Sequence, residues 1–155
     1  MEISSPSFSE GTALPIRYAK DGENISPPLE WAGVPEETHE LALLFEQVTP
    51  QTRKPFVQWL VYGLPPQSGG LPEGYQHKRD PEPEEMHQGV NDIGNVGYDG
   101  PLGTAGRTLH CRFRLLALDQ PLHLPPGADR ETVLSKAAEH ILAEAELNAR
   151  YERPR

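Results

Sequence analysis

LHCRFRLLA, the stretch from Leu109 to Ala117, decides the fold. Apolar and basic residues alternate along it with a period of two, which is the pattern of a β-strand with one buried face. The apolar face consists of Leu109, Cys111, Phe113, Leu115 and Ala117, and the basic face of His110, Arg112 and Arg114. We therefore predict a long strand whose apolar face covers a core.

Two further strands are predicted from continuous apolar runs. Leu41–Phe45 is bounded by polar residues, and Phe56–Tyr62 is stopped by Gly63 and Pro65. Such runs are typical of strands buried on both faces, because no alternation is needed where neither face meets water. These runs predict the centre of a β-sheet.

The composition supports a turn-rich β protein. The 155 residues include 17 prolines and 14 glycines, about a fifth of the chain, whereas average usage of the two is roughly 12%. A length of 155 residues suits one domain, so we expect a single domain over residues 1–155.

The C-terminal quarter is predicted to be helical. Asp129 is a good N-cap, and Leu134, Ala138, Ile141 and Ala145 would line one side of a helix that runs to about Asn148. Before the long strand, a loop is expected from Pro65 to about Gly106.

The net charge of −9 disfavours nucleic-acid partners and anionic membranes unless a local basic patch exists, and the sequence shows only small ones. No apolar run approaches the roughly 20 residues that cross a bilayer, and the start MEIS is not that of a signal peptide. We expect a cytoplasmic protein without stable membrane insertion.

Catalytic and metal motifs are weak. Cys111 and His110 are strand neighbours and point to opposite faces, so they cannot form a nucleophile–base pair. The single Glu84-x-x-His87 spacing follows two prolines, and His39-Glu40 lacks the second histidine of a zinc motif. We expect no catalytic residue, metal site or cofactor.

The glycine-rich run Gly89–Pro101 is the strongest functional candidate by composition. Spaced glycines let amides converge into an anion-binding concavity. It is not a dinucleotide fingerprint, because no helix can open at Pro101–Gly103. A functional loop and an ordinary connection both remain open on these residues alone.

Taken together, the ordered segments resemble the phosphatidylethanolamine-binding protein family, which includes the Raf kinase inhibitor protein and small bacterial and archaeal members. The segments are Ser5–Phe8, Asp21–Trp31 (DGENISPPLEW), Asn91–Pro101 and Ala117–Asp119. The ends Ile141–Ala143 and Tyr151–Arg153 are similar to the bacterial subgroup. The resemblance implies a mainly β fold, an antiparallel β-sandwich with one large and one small sheet and a C-terminal α-helix, and a small anion pocket at one end.

The chain departs from the family pattern at the expected pocket. Relatives carry Asp-Pro-Asp-Ala-Pro where Glu46–Pro50 reads EQVTP, and a histidine where Gln58 precedes Trp59. Relatives also carry His-Arg-Tyr at Leu109–Cys111 in the ungapped register. A one-residue slip would move His110 to the wrong face of the strand, so the ungapped register is preferred.

The resemblance implies a ligand site made by Glu46, Gln58, Trp59, Gly97, Tyr98, Asp99, Gly100, Pro101, Leu109 and Cys111. Asp99 stands where relatives commonly have glycine, and a carboxylate about 5 Å from a phosphate costs roughly 3 kcal/mol at an effective dielectric near 20. Arg107 is the nearby cation that would compensate. We expect a pocket of retained shape that is weakened for phosphate monoesters and suits a neutral or cationic group better.

The resemblance implies a non-enzymatic binding protein for a small anionic or polar ligand. The alternative is a regulator that inhibits a protein kinase or protease by surface contact, with a vestigial pocket. A hydrolase with Glu46 as base is poorly supported, since no nucleophile or second paired acid is evident. A homodimer agrees with the resemblance, although no residue pattern specifies an interface.

Overall fold

Two antiparallel sheets carry the fold in the computed structural model, which describes residues 1–48, 54–75 and 86–153. The strands are β1 (Glu2–Ser4), β2 (Leu29–Ala32), β3 (Glu40–Val48), β4 (Phe56–Leu64), β5 (Gly70–Leu71), β6 (His87–Gln88), β7 (Thr108–Leu118) and β8 (Ile141–Glu152). A 3₁₀ helix spans Ile16–Tyr18, and α1 spans Arg130–Ala137. The prediction of a mainly β protein with a large and a small sheet is confirmed.

The large sheet has the order β6-β4-β3-β7-β8, and the small sheet has the order β1-β2-β5. The predicted strands at residues 41–45, 56–62 and 109–117 are confirmed as β3, β4 and β7. They lie side by side at the centre of the large sheet, because each needs a neighbour on both edges to satisfy its buried backbone groups.

Each face of the large sheet covers its own core. On one face Phe45 stacks on Phe113 with ring centroids 4.0 Å apart, and the small sheet and the N-terminal segment pack over them. On the other face Leu44 and Leu116 pack with Val133 of α1. Phe45 and Leu44 are neighbours in sequence, so the buried run of β3 feeds both cores by simple alternation.

The predicted extent of the C-terminal helix is wrong. The N-cap is confirmed, since the Thr132 N–H donates to Asp129 Oδ1 at 2.8 Å, but α1 ends at Ala137 and residues 141–152 form β8. The apolar residues of β8 fit the strand period of two as well as the helical period. Pairing with β7 along its whole length selects the strand. These residues are Ala143, Ala145, Leu147, Ala149 and Tyr151.

The expected loop from Pro65 to Gly106 contains the short strands β5 and β6, each of which lies at one edge of its sheet. Glu84 of the Glu-x-x-His spacing lies outside the described residues. Within the described ranges, we find no helix that is both long and apolar enough to cross a membrane.

Candidate ligand-binding cleft

A β-bulge in β4 aims Gln58 into the site. Phe45 pairs with Trp59 and Glu46 pairs with Val57, so β4 contributes one extra residue, Gln58, between these two pairs. Bulges re-aim a side chain and interrupt regular pairing. The glycine-rich loop is hydrogen-bonded to the backbone of β4 at this bulge, since the Asp99 N–H donates to the Gln58 carbonyl at 3.1 Å.

Asp99 organises the glycine-rich loop from inside. Its carboxylate accepts hydrogen bonds from the Asn91 and Asn95 amides, both at 2.8 Å, and Lys20 Nζ lies 3.5 Å away. Burial acts to raise the pKa of Asp99, but hydrogen bonds from Asn95, Asn91 and Asn24 outweigh it, so that the pKa falls below its usual value. Asp99 is therefore a charged anchor of the loop.

The start of the DGENISPPLEW stretch and Tyr18 just before it contact this loop. The Gly100 N–H donates to Asn24 Oδ1 at 2.6 Å, and the Tyr98 hydroxyl donates to the Tyr18 carbonyl at 2.7 Å. A Cβ at Gly100 would lie 2.1 Å from that Tyr18 oxygen, so the close approach requires glycine. The two segments thus form one rigid wall beside β4.

An open cleft of about 810 Å³ lies between this wall and the start of β7. Its lining consists of Lys20, Gln47, Lys54, Pro55, Phe56, Gln58, Asp92, Ile93, Gly100, Leu102, Thr104, Arg107 and Leu109. Three of these side chains are cationic, and Asp92 is the sole carboxylate among them within the described chain. The Asp92 carboxylate accepts the Val57 N–H at 2.7 Å, and the charged side chains of the lining are therefore mainly cationic.

Gln58 lines the cleft but is itself almost completely buried. Its side chain is 2% exposed, and its Oε1 has no hydrogen-bond partner among the described residues. A buried polar atom without a partner costs about 1–3 kcal/mol. Only a group that donates a hydrogen bond can satisfy this acceptor oxygen.

The expected site residues divide into two groups. Gln58, Gly100 and Leu109 line the cleft. Five other expected residues lie near the cleft: Gly97, Tyr98 and Pro101 in the glycine-rich loop, and Trp59 and Cys111 in the core behind it. Trp59 Nε1 donates to Gln88 Oε1 at 2.8 Å, and burial raises the pKa of the Cys111 thiol to about 12. None of these five residues lines the cleft itself.

Glu46 does not reach the cleft. The alternation of β3 places it on the opposite sheet face from Phe45, where Arg112 Nη2 lies 2.9 Å from Oε1 and Arg130 Nε lies 2.5 Å from Oε2. Asp99 also lies outside the cleft lining, held within its loop. Glu46 is therefore neutralised away from the cleft, whereas Asp99, from which we expected repulsion of phosphate, is paired with Lys20 at the cleft wall.

The sequence did not reveal that Lys20 and Lys54 belong to the site. They come from separate segments, and only the packed loops bring them beside Arg107, the cation that we expected near the pocket. A local basic patch thus exists that no short stretch of sequence contains. In the described parts of the chain, no group of three or more His, Cys, Asp and Glu is placed to hold a metal ion.

The two antiparallel sheets define a β-sandwich, and the comparison with known families agrees with this fold. The chain belongs to the phosphatidylethanolamine-binding protein family, whose model matches residues 4–152. This confirms the resemblance found in the sequence.

Relatives of similar length occur in archaea and bacteria. A UPF0098 protein of Methanothermobacter thermautotrophicus is 40% identical over 153 residues and is matched over 99% of both chains. A UPF0098 protein of Aquifex aeolicus is 38% identical, with 99% of this chain and 89% of that protein covered.

Solved structures share the whole architecture. The crystal structure of a phosphatidylethanolamine-binding protein homologue from Chlamydia trachomatis superimposes with a TM-score of 0.86 at 34% identity, covering 99% of this chain and 97% of that one. YbcL of Escherichia coli superimposes with a TM-score of 0.89 at 25% identity, covering 99% and 98%.

Proposed function

We propose that this chain is a non-enzymatic binding protein whose cleft takes a small anion of the phosphate type. The observation that carries the proposal is the convergence of Lys20, Lys54 and Arg107 on one cleft, where Asp92 is the single carboxylate among the described lining residues. Cations gathered in a concave site raise the local concentration of anions. The charge pattern therefore favours an anion over the neutral or cationic group expected from the sequence.

Gln58 adds hydrogen-bonding groups to this charge. The side-chain amide of Gln58 offers both a donor and an acceptor, so it can serve an ionised or a protonated phosphate oxygen. Lys20 and Lys54 have carboxylate partners outside the cleft, Asp99 and Glu131. Arg107 has no ion-pair partner among the described residues, and it is the cation most available to a ligand.

The test maps methyl phosphate onto the protein by amide NMR at millimolar concentration. We expect saturable shifts at Gln58, Gly100 and Leu109, weakened about fivefold or more by Arg107→Gln. The matched control is Lys136→Gln, which removes a cation from the last turn of α1 and should leave binding unchanged.

The absence of shifts at those amides would refute the proposal. The alternative is a regulator that acts by surface contact. It would be supported if the protein bound a kinase or protease but did not bind methyl phosphate. A cytoplasmic location and a homodimer stay predictions, which cell fractionation and sedimentation would test.

A further inference from the structure

Part of the outer edge of β8 lacks a neighbouring strand in the portion of the chain that the structure describes. β8 lies at one edge of the large sheet, and β7 pairs with its inner side along the whole length. On the outer side, the Gly11 N–H donates to the Asn148 carbonyl at 2.8 Å, and the Arg150 N–H donates to a carbonyl of the same N-terminal segment. This segment covers β8 from Asn148 onward and bonds to none of residues 143–147, which we call the free edge.

The free edge presents backbone groups that point away from the sheet. Successive residues of an antiparallel strand bond alternately to one side and to the other. Glu144 and Glu146 therefore share the outward direction of Asn148, and their backbone N–H and C=O groups have no hydrogen-bond partner among the described residues. The side chains of Glu144 and Glu146 are 43% and 47% exposed. An exposed edge with such groups is a template for one more strand.

One face of the free edge is acidic. Arg114 Nη2 lies 3.0 Å from Glu144 Oε1, and Arg112 Nη1 lies 3.8 Å from Glu146 Oε1. Both arginines belong to the alternating basic and apolar pattern of β7, which fits the inner side of β8. A strand on the outer side would place every second side chain beside the same two carboxylates, because cross-strand neighbours lie about 5 Å apart. The free edge therefore favours basic residues at those positions.

The other face of the free edge is apolar. Ala145 and Leu147 belong to the core beneath the small sheet, and Ala143 packs half-buried against it. Apolar side chains of an added strand would extend this core and remove more apolar surface from water. The side chains of a strand alternate between its two faces, so the sequence that fits the free edge alternates basic and apolar residues.

A second copy of the chain does not match the charge of the free edge. The two-fold antiparallel pairing that would use its full length centres on Ala145 and sets Glu144 of each copy opposite Glu146 of the other. Like charges directly opposite each other on paired strands are destabilising. The net charge of −9 adds to the repulsion between copies. Charge complementarity therefore points to a basic partner of different sequence.

We propose that the free edge of β8 binds an extended segment of a partner protein in which Lys or Arg alternates with apolar residues. The segment would add a sixth strand to the large sheet through the outward backbone groups of Glu144 and Glu146, with its basic side chains beside the two carboxylates. Leu109 of β7 lines the cleft, whereas the free edge lies beside residues 113–117, at least about 13 Å farther along the strand at about 3.3 Å per residue. The inference is thus independent of the proposed anion binding.

The experiment compares two peptides by amide hydrogen exchange of the full chain. The probe is the acetylated and amidated peptide TKVRVKT, and the control TKRKVVT has the same composition and charge without the alternation. In the free protein the outward amides of Glu144 and Glu146 should exchange rapidly, and the inward amides of Ala143 and Ala145, which bond to β7, should exchange slowly. A saturating concentration of the probe should slow exchange at Glu144 and Glu146 at least about tenfold and leave the two alanine amides unchanged.

Variants separate the backbone contribution from the charge. Glu144→Pro removes one outward donor and keeps the inward bonds to β7, since proline is tolerated in an edge strand where the N–H would face solvent. It should weaken binding of the probe at least about tenfold. Glu146→Lys should weaken it at least about fivefold. The matched control Glu30→Lys makes the same exchange at an exposed residue of β2 in the small sheet and should change binding by less than about twofold.

Circular dichroism of each variant verifies that the fold is retained, and Glu146→Lys still tests the inference if the proline variant does not fold. Unchanged exchange at Glu144 and Glu146 with the probe, equal protection by the two peptides, or equal losses for Glu146→Lys and Glu30→Lys would overturn the inference. Protection of the same two amides without peptide, together with a dimer in sedimentation, would also overturn it, because the occupant would then be a second copy.

Discussion

The buried carboxylate of Glu46 gives the sharpest prediction about the role of a single residue. It is 0% exposed and bridges Arg112 of β7 and Arg130 of α1, so it ties the helix to the sheet. We predict that Glu46→Ala destabilises the protein and leaves anion binding in the cleft intact, because Glu46 lies on the other face of the sheet.

The expected loss follows from the geometry. Removing one partner of a buried charge group costs about 3–5 kcal/mol, since the remaining charges lose their compensation. The side chains of Arg112 and Arg130 are 24% and 20% exposed and can turn toward water, so the lower end, about 3 kcal/mol, applies. With a slope of about 1–3 kcal/mol per molar urea, the unfolding midpoint should fall by at least about 1 M.

The assay is urea unfolding followed by tryptophan fluorescence, with Glu144→Ala as the control. Glu144 pairs with Arg114 at 3.0 Å on the same sheet but is 43% exposed, so its removal should cost less than about 1 kcal/mol. Equal losses for both variants would refute the reasoning. So would an unaltered midpoint combined with lost methyl phosphate binding, since that result would make Glu46 a ligand residue.

Three further predictions concern the loop and the core. The pKa of Asp99 is depressed, so its contribution to stability is fully present above its unfolded pKa of about 3.9 and is lost as the pH falls through its lower folded value. The Asp99→Asn variant should therefore lose less stability between pH 5 and pH 3 than the wild type. Urea unfolding midpoints measured at each pH test this. Cys111 is 2% exposed with a pKa raised to about 12, so an aromatic disulfide reagent should label it only after unfolding, and rapid labelling of the native protein would contradict the buried position. Gly100→Ala should destabilise by about 2 kcal/mol or more because its Cβ meets the Tyr18 carbonyl oxygen, and a melting temperature within a degree of the wild type would show that the loops are not in contact.

The strands were predictable because their patterns are local. The alternation of residues 109–117 and the apolar runs at 41–45 and 56–62 identify β7, β3 and β4 without knowledge of their partners. The strand after α1 was not predictable, because its apolar residues at 141 and 145 fit a helical period as well as a strand period. Only the free edge of β7, which the sequence does not show, selects the strand.

The site was predictable in its frame and not in its charges. The family resemblance assigns the glycine-rich loop and Gln58 to the pocket, and Gln58 and Gly100 do line the cleft. The orientation of Glu46 could have been found by counting alternate residues from Phe45, a core position in a run buried on both faces. The meeting of Lys20, Lys54 and Arg107 depends on loop packing across distant segments, and no local pattern encodes it.

The sign of the charge that the cleft prefers tests the central claim most directly. Methyl phosphate and choline, titrated separately, would be followed at the amides of Gln58, Gly100 and Leu109, the described residues that line the cleft and were expected from sequence. We predict saturable shifts with methyl phosphate that weaken as salt is added, and none with choline at the same concentration. Shifts with choline and none with methyl phosphate would contradict the assignment of an anion site.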